Sequence, residues 1–208
     1  RLNSSAASDV YKRQDLFYRN NISKGEKMNF EFSDEQIAMK DEVRKLLDKE
    51  NSLKRNRTIL EGEEKFDKDL WNSLVSMGLT AVTIPEEFGG IGMGYLELCV
   101  IAEELGRAIA PVPYSSSVYL ATTAILNCAS DEIKKEFLPK LASGEIIGTF
   151  AHAESSGFPL EKSINCNFAS GKISGTKAAV PDADIADFAI VSAKSSSGVG
   201  LYLVDLKD

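Results

Sequence analysis

The chain has 208 residues, of which 43% are hydrophobic and 26% are charged, a composition typical of a globular protein with a buried core. Its formal net charge of -7 predicts no nucleic-acid binding, because phosphate recognition needs a basic surface. No stretch reaches the roughly 18 apolar residues of a membrane span. Three cysteines, Cys99, Cys128 and Cys166, fit neither a zinc site nor a disulfide framework. We therefore expect free, buried thiols, no metal and a cytoplasmic location.

The pattern of apolar residues divides the chain into three parts. Residues 1–27 show no periodicity and precede Met28, so we interpret them as a non-native or disordered leader. Residues 28–144 predict a helical domain, and residues 145–208 predict short β-strands separated by Gly, Ser, Asp and Pro. The predicted fold class is α+β, an N-terminal all-α domain followed by an antiparallel β-barrel domain. Because the chain ends just after a predicted strand, Leu201 to Leu206, we expect the barrel to be truncated.

Capping signals mark where the first helices begin and end. Ser33 with Gln36 three residues later forms a capping-box pattern. Asp67 is placed to cap a second helix, and Gly78 to end it in the left-handed conformation. The polar residues 51–65 between these helices predict a loop or a short exposed helix.

Three further helices are predicted before the strands begin. After a glycine-rich loop, an apolar face recurs at helical spacing. Its members are Leu98, Cys99, Ala102 and Leu105. Residues 115–127 are nearly all small or apolar, which predicts a helix buried on several sides. Ser130 caps a fifth helix that ends near Gly144, and we expect its buried residues to be Ile133, Phe137, Leu138 and Leu141.

The glycine-rich loop is the most informative local feature of the sequence. It contains Gly89, Gly90, Gly92 and Gly94 and leads directly into a helix. A dinucleotide-binding G-x-G-x-x-G that begins at Gly90 requires glycine at position 95, where Tyr95 stands. We therefore assign these glycines a structural role, in which they let the loop cross tightly between two packed helices.

Several ordered motifs give the chain a resemblance to a known family. The stretch I-P-E-E-F-G-G-I-G-M-G, the helix that ends E-E-L-G-R, and F-L-P-K-L-A-S-G-E-I-I-G-T-F-A are similar to acyl-CoA dehydrogenases over residues 28–208. The resemblance implies a C-terminal four-helix bundle that is missing from this chain. It also implies FAD as cofactor, α,β-desaturation of an acyl-CoA thioester with hydride transfer to flavin N5, an electron-transferring flavoprotein as partner, and a homo- or hetero-oligomer.

The resemblance also indicates which residues contact the flavin. The matched segments are F-A-H-A-E-S and the end of G-T-K-A-A-V-P. In family positions, Ala153 replaces a threonine, Ser155 a proline and Ala179 a tryptophan. The implied cofactor-binding residues are Phe150, His152, Ala153, Glu154, Ser155, Ala179, Val180 and Pro181.

The remaining implied roles concern substrate and catalysis. Small side chains at Ala121 and Ala124 are expected to leave room for the acyl chain. The family's glutamate base is expected beyond Asp208, so this chain is expected to be inactive by itself. Two alternatives stay open because of the substitutions at Ala153 and Ala179. They are a non-catalytic partner subunit of a heteromeric dehydrogenase and a flavin-dependent hydroxylase of the same fold.

Overall fold

The computed structural model describes residues 31–155 and 161–207. Contacts divide the chain into two units, residues 1–35 and residues 36–208. The leader predicted at residues 1–27 lies outside the described residues. The second unit holds both the helices from residue 36 onward and the strands, and the domain boundaries predicted at residues 28 and 145 stay predictions.

Within the described residues, six α-helices precede the sheet, which confirms the helical first half. They are α1 (Asp34–Glu50), α2 (Leu53–Glu61), α3 (Lys68–Ser76), α4 (Tyr95–Arg107), α5 (Thr123–Cys128) and α6 (Asp131–Ala142). Short 3₁₀ turns at Leu79–Ala81 and Glu86–Phe88 connect α3 to the glycine-rich loop. Helix α2 lies in the segment predicted as a loop or a short exposed helix, so the second of these options is correct.

Helix α3 begins and ends at the residues that the sequence predicted. The Asp67 carboxylate accepts a hydrogen bond from the Leu70 backbone N–H at 3.2 Å, which satisfies one of the helix's unpaired donors. Gly78, which follows the C-cap residue Met77, has φ 73°, a conformation that costs glycine little. Arg55 from α2 donates to the same Asp67 carboxylate at 2.8 Å, so the cap also joins two helices.

The buried face of α4 differs from the predicted one. Leu98 and Leu105 are buried as expected, but Cys99 is exposed and Ile101 takes its place in the core. Glu104 is fully buried on the same helix. The prediction failed because the apolar spacing ignored a charged residue whose partners are Arg44 on α1 and Arg107 on α4 itself. Cys128 is also exposed and Cys166 is buried, so the prediction of buried thiols holds for one cysteine of three.

The helix predicted at residues 115–127 begins as a π-helix, Ser115–Thr122, and continues as α5. It is buried on several sides, as predicted, and its buried hydroxyls are paired. Ser116 Oγ lies 3.1 Å from the Pro113 carbonyl oxygen, and Thr122 donates to the Ser117 carbonyl at 2.9 Å. Such π-turns are rare and often occur at functional sites.

The second half forms one five-stranded sheet whose described strands do not close into a barrel. The strands are β1 (Gly148–Ala151), β2 (Asn167–Ala169), β3 (Lys172–Ser174), β4 (Phe188–Ser195) and β5 (Gly198–Asp205). The path through the sheet is β1-β4-β2-β3, and β5 pairs with β4. The pairs β2–β3 and β4–β5 are antiparallel hairpins. The pairs β1–β4 and β2–β4 are parallel, which corrects the purely antiparallel expectation. A long connection separates β1 and β2 from β4, which lets the chain return and enter β4 in the same direction. The alternation of residues within a strand does not indicate the direction of its partner.

The glycine-rich loop folds back over the turn that precedes it. The backbone N–H groups of Ile91, Gly92 and Met93 donate to carbonyls of residues 81–84 at distances between 2.7 and 3.0 Å. A Cβ on Gly90 would lie 1.9 Å from the Ile84 carbonyl oxygen. The loop therefore needs glycine at position 90 for space, which agrees with the structural role expected from the sequence.

Candidate cofactor site

The two segments implied to contact the flavin lie side by side. Residues 150–155 run through the end of β1, and residues 179–181 follow the G-T-K segment after β3. The Ala178 backbone N–H donates to the Ala153 carbonyl at 2.8 Å. The buried Thr149 hydroxyl donates to the Pro181 carbonyl at 2.6 Å. We refer to residues 150–155 and 179–181 together as the wall.

The wall offers backbone donors that the protein does not use. Within residues 31–155 and 161–207, the N–H groups of Ala153, Glu154, Ala179 and Val180 make no hydrogen bond to the protein. Such groups require an acceptor, either water or a ligand. An isoalloxazine ring carries carbonyl oxygens and ring nitrogens that accept hydrogen bonds, which is the chemistry that unpaired N–H donors require.

The turn at the end of the wall is strained and held by buried side chains. Ala179 and Asp182 have φ values of 51° and 52°, which side-chain-bearing residues rarely adopt. The Ser116 hydroxyl, fully buried on the π-helix, donates to the Asp182 carboxylate at 2.6 Å. This contact fixes the turn to the helix that was predicted to line the acyl pocket.

The Glu154 side chain points into the protein, and its hydrogen bonds hold the first segment of the wall to neighbouring residues. Its Oε1 accepts from Lys177 Nζ at 2.7 Å and from the Cys166 N–H at 3.0 Å, and Oε2 accepts from the Asn165 N–H at 2.6 Å. Burial raises the pKa of Glu154, but these hydrogen bonds outweigh it and lower the pKa from 4.5 to about 2. The carboxylate is thus committed to the protein, and Glu154 has only its backbone to offer a cofactor.

This shift predicts how stability changes with pH. Because the folded-state pKa of Glu154 is lowered, its stabilisation is complete above the unfolded value of 4.5 and is lost as the pH falls towards 2. The contribution amounts to ~3 kcal/mol for a shift of this size. Urea unfolding of the wild type and Glu154→Gln should therefore show a gap that is constant near pH 7 and narrows below pH 4.5. A gap that is the same at pH 7 and pH 3 would contradict this assignment.

The other predicted cofactor residues occupy different environments. Phe150 packs against a buried apolar cluster between the helices and the sheet. Val180 packs with Ala151 on the opposite face of the sheet. The half-buried His152 ring lies 5.9 Å from the Phe150 ring, and its Nδ1 is 2.9 Å from Ser192 Oγ. Ser155 is exposed. Their roles towards a flavin stay predictions.

The two residues predicted to line the acyl pocket are separated. Ala121 is fully buried and packs on β1, where a Cβ at Gly148 would lie 2.6 Å from the Ala121 methyl. Ala124, one turn later, lines an apolar hollow of about 100 Å³ with Ile190 and Leu203. The structure therefore brings Ala124 to a cavity and places Ala121 in the core beneath β1.

Two observations bear on other classes of site. Within residues 31–155 and 161–207, no cluster of three or more His, Cys, Asp or Glu side chains is arranged to hold a metal ion. None of the described helices combines the length and the apolar character that a membrane crossing requires.

Sequence reasoning missed the residues that support the wall. Lys177 and Ser192 contact its first segment. Thr149 holds its second segment, and Ser116 holds Asp182 just after it. A lysine in the otherwise uncharged stretch T-K-A-A-V was the available signal. Ser116 and Thr149 carried no local signal, because their partners lie more than 30 residues away.

A family model for the N-terminal domain of acyl-CoA dehydrogenases matches residues 33–145, which is more than half of the chain. This chain belongs to the acyl-CoA dehydrogenase family. It is 32% identical over 147 residues to the acyl-CoA dehydrogenase FadE27 of Mycobacterium tuberculosis, covering 70% of this chain and 39% of the relative. It is also 32% identical over 124 residues to the mitochondrial isovaleryl-CoA dehydrogenase of Pongo abelii, covering 59% and 29%.

Solved structures agree with this assignment. The ChsE4-ChsE5 complex from Mycobacterium tuberculosis is 28% identical with a TM-score of 0.78, and the match covers 87% of this chain and 50% of that chain. The G363A variant of the Tcur3481-Tcur3483 steroid ACAD is 32% identical with a TM-score of 0.74, covering 83% and 48%. The chain thus spans at most half of the length of each of these relatives and neighbours.

Proposed function

We propose that the whole protein is an FAD-dependent dehydrogenase that desaturates an acyl-CoA thioester between its α and β carbons. Family membership supports the reaction class, and the unused N–H donors of the wall support the cofactor. When bound, FAD supplies a two-electron acceptor, and an electron-transferring flavoprotein is the proposed partner that reoxidises it.

Each part of the wall has a proposed task. The backbone N–H groups of Ala153, Glu154, Ala179 and Val180 bind and orient the flavin ring. Phe150 and Pro181 bound the ring site, and His152 and Ser155 complete the first segment. The strained turn presents the Ala179 N–H at the surface instead of burying it. We assign no catalytic base to this chain.

The helix beneath β1 has a proposed role in substrate binding. Ala121 and Ala124 are one helical turn apart, and their methyl groups occupy less volume than longer apolar residues. The hollow beside Ala124 is apolar, which suits the alkyl or ring portion of an acyl group. The neighbour described as a steroid ACAD makes a bulky acyl chain a specific candidate to test.

A non-catalytic partner subunit of a heteromeric dehydrogenase is a second candidate. Two of the similar structures are two-component proteins, the ChsE4-ChsE5 and Tcur3481-Tcur3483 assemblies. In this chain, Ala153 and Ala179 lack the hydroxyl and the indole that the family pattern carries at the flavin. A subunit that keeps the fold but leaves flavin chemistry to its partner would tolerate both changes.

Flavin binding and bleaching distinguish these candidates. We expect the full-length protein to purify yellow, to bind FAD stoichiometrically, and to lose its visible flavin absorption anaerobically when an acyl-CoA is added. Conversion of the substrate to the enoyl-CoA confirms the reaction. Protein that stays colourless in excess FAD contradicts the dehydrogenase and favours the partner subunit. Rapid oxygen consumption with externally reduced flavin contradicts the dehydrogenase and favours the hydroxylase.

A further inference from the structure

We propose that Lys177 is a positioning residue for the wall, an inference that rests on the function proposed above. Its ammonium joins three separate segments of the chain. Lys177 Nζ lies 2.7 Å from Glu154 Oε1, 3.0 Å from Ser192 Oγ and 3.1 Å from the His152 carbonyl oxygen. The three N–H groups of an ammonium thus meet three acceptors.

These contacts are buried, so an ammonium or carboxylate without a partner would be costly there. The side chains of Lys177 and Glu154 are 8% and 9% exposed, and Ser192 is fully buried. A charge in such a place is stable only when it is paired and hydrogen-bonded. The position of the ammonium is therefore determined by its acceptors, and two of these belong to residues of the wall.

Lys177 also orients the His152 ring through Ser192. The Ser192 hydroxyl accepts from Lys177 Nζ, so its own hydrogen is directed elsewhere. Among the described residues, its other hydrogen-bond partner is His152 Nδ1, at 2.9 Å. Ser192 Oγ thus bridges Lys177 Nζ and His152 Nδ1, and the tautomer of the ring sets the direction of the serine–histidine bond. One ammonium thus holds the His152 carbonyl directly and its ring through a single hydroxyl.

The contacts predict which substitutions disturb the wall. Methionine at position 177 fills a similar volume but donates no hydrogen bond, which leaves the Glu154 carboxylate and the His152 carbonyl without their ammonium. The backbone of residues 152–154 is then free to shift, and the N–H groups that face the flavin shift with it. Ser192→Ala is a milder change, because Lys177 keeps its contacts to Glu154 and His152.

The experiment compares FAD affinity with amide hydrogen exchange in the wild type and its variants. In the full-length protein we expect Lys177→Met to raise the Kd for FAD at least tenfold and Ser192→Ala to raise it about threefold. Hydrogen exchange at the amides of Asn165 and Cys166, which donate to Glu154, should accelerate in Lys177→Met. The control Lys207→Met removes the same charge from an exposed lysine that pairs with Asp187 outside the wall, and it should leave the Kd unchanged.

The outcomes separate this inference from the proposed function. If the wild type binds FAD and both variants bind it within twofold of the wild-type Kd, Lys177 has only a structural role and the inference fails. If the wild type itself binds no FAD, the proposed function fails and the inference fails with it. Should Lys177→Met not fold, Ser192→Ala decides by the same criterion, with the near-ultraviolet circular dichroism of the bound flavin as a second readout.

Discussion

Glu104→Gln is expected to lower the free energy of unfolding by about 3 kcal/mol, the lower end of the range for breaking a buried ion pair. The Glu104 carboxylate is fully buried between α1 and α4. It accepts from Arg44 at 2.6 and 3.0 Å and from Arg107 at 2.7 Å. A glutamine amide would place its NH₂ group against one of these guanidinium groups. The cost stays near the lower end because both arginines are about 40% exposed and can turn to water.

Urea unfolding of the wild type and Glu104→Gln measures this effect. Glu103→Gln is the matched control, because Glu103 lies next in sequence and pairs with Lys40 at 2.7 Å, but its side chain is 56% exposed. Such an exposed pair contributes roughly 0–1 kcal/mol. Equal losses for the two variants would show that burial of Glu104 does not matter.

The Glu104 effect should also depend on pH. Hydrogen bonds from Arg44, and then from Arg107, lower the pKa of Glu104. Burial raises it, but the hydrogen bonds outweigh burial, and the pKa falls from 4.5 to about 2. Since the folded-state pKa is lowered, the stabilisation is present above pH 4.5 and is lost as the pH falls towards 2.

Gly90→Ala is expected to destabilise the protein by about 3 kcal/mol, the upper end of the range for overpacking. A methyl group at this position would lie 1.9 Å from the Ile84 carbonyl oxygen and 2.4 Å from its carbon. Because the clash is with backbone, it cannot be relieved by a rotamer change. The loop must move, and its hydrogen bonds to residues 81–84 are weakened.

Two other glycines serve as controls for Gly90→Ala in the same unfolding experiment. At Gly106 an added Cβ meets nothing within 4 Å and φ is unexceptional, so Gly106→Ala in α4 should stabilise the protein by up to ~1 kcal/mol. Gly89 also has open space but a φ of 80°, so alanine there should cost ~1 kcal/mol for strain. A Gly90→Ala variant no less stable than Gly89→Ala would mean that the loop has room at position 90.

Much of the helical region was predictable because its signals are local. The Asp67 cap acts on a residue three positions away, and Gly78 ends α3 through its own φ. The failed glycine spacing at Tyr95 excluded a dinucleotide site without any structure. By contrast, the face of α4 was predicted with Cys99 inside and without Glu104, since a charged residue is placed in a core only when its partners are known.

For the site, the sequence predicted which segments form the wall but not what holds them. Motif spacing marked residues 150–155 and 179–181, and the structure joins them through the Ala178 to Ala153 hydrogen bond. The supports of the wall, Lys177, Ser192 and Ser116, have partners between 15 and 66 residues away. No periodicity relates residues at such separations.

The amino-acid sequence by itself determined the helical first half, the stranded second half and the family, because capping, hydrophobic period and ordered motifs are read along the chain. The tertiary structure decided that β1 and β2 run parallel to β4, that Glu104 is buried with two arginines, and that the Glu154 side chain faces Lys177. The physical reason is common to all three. Strand direction, ion-pair burial and the hydrogen bonds of a buried carboxylate depend on groups that meet only after the chain has folded.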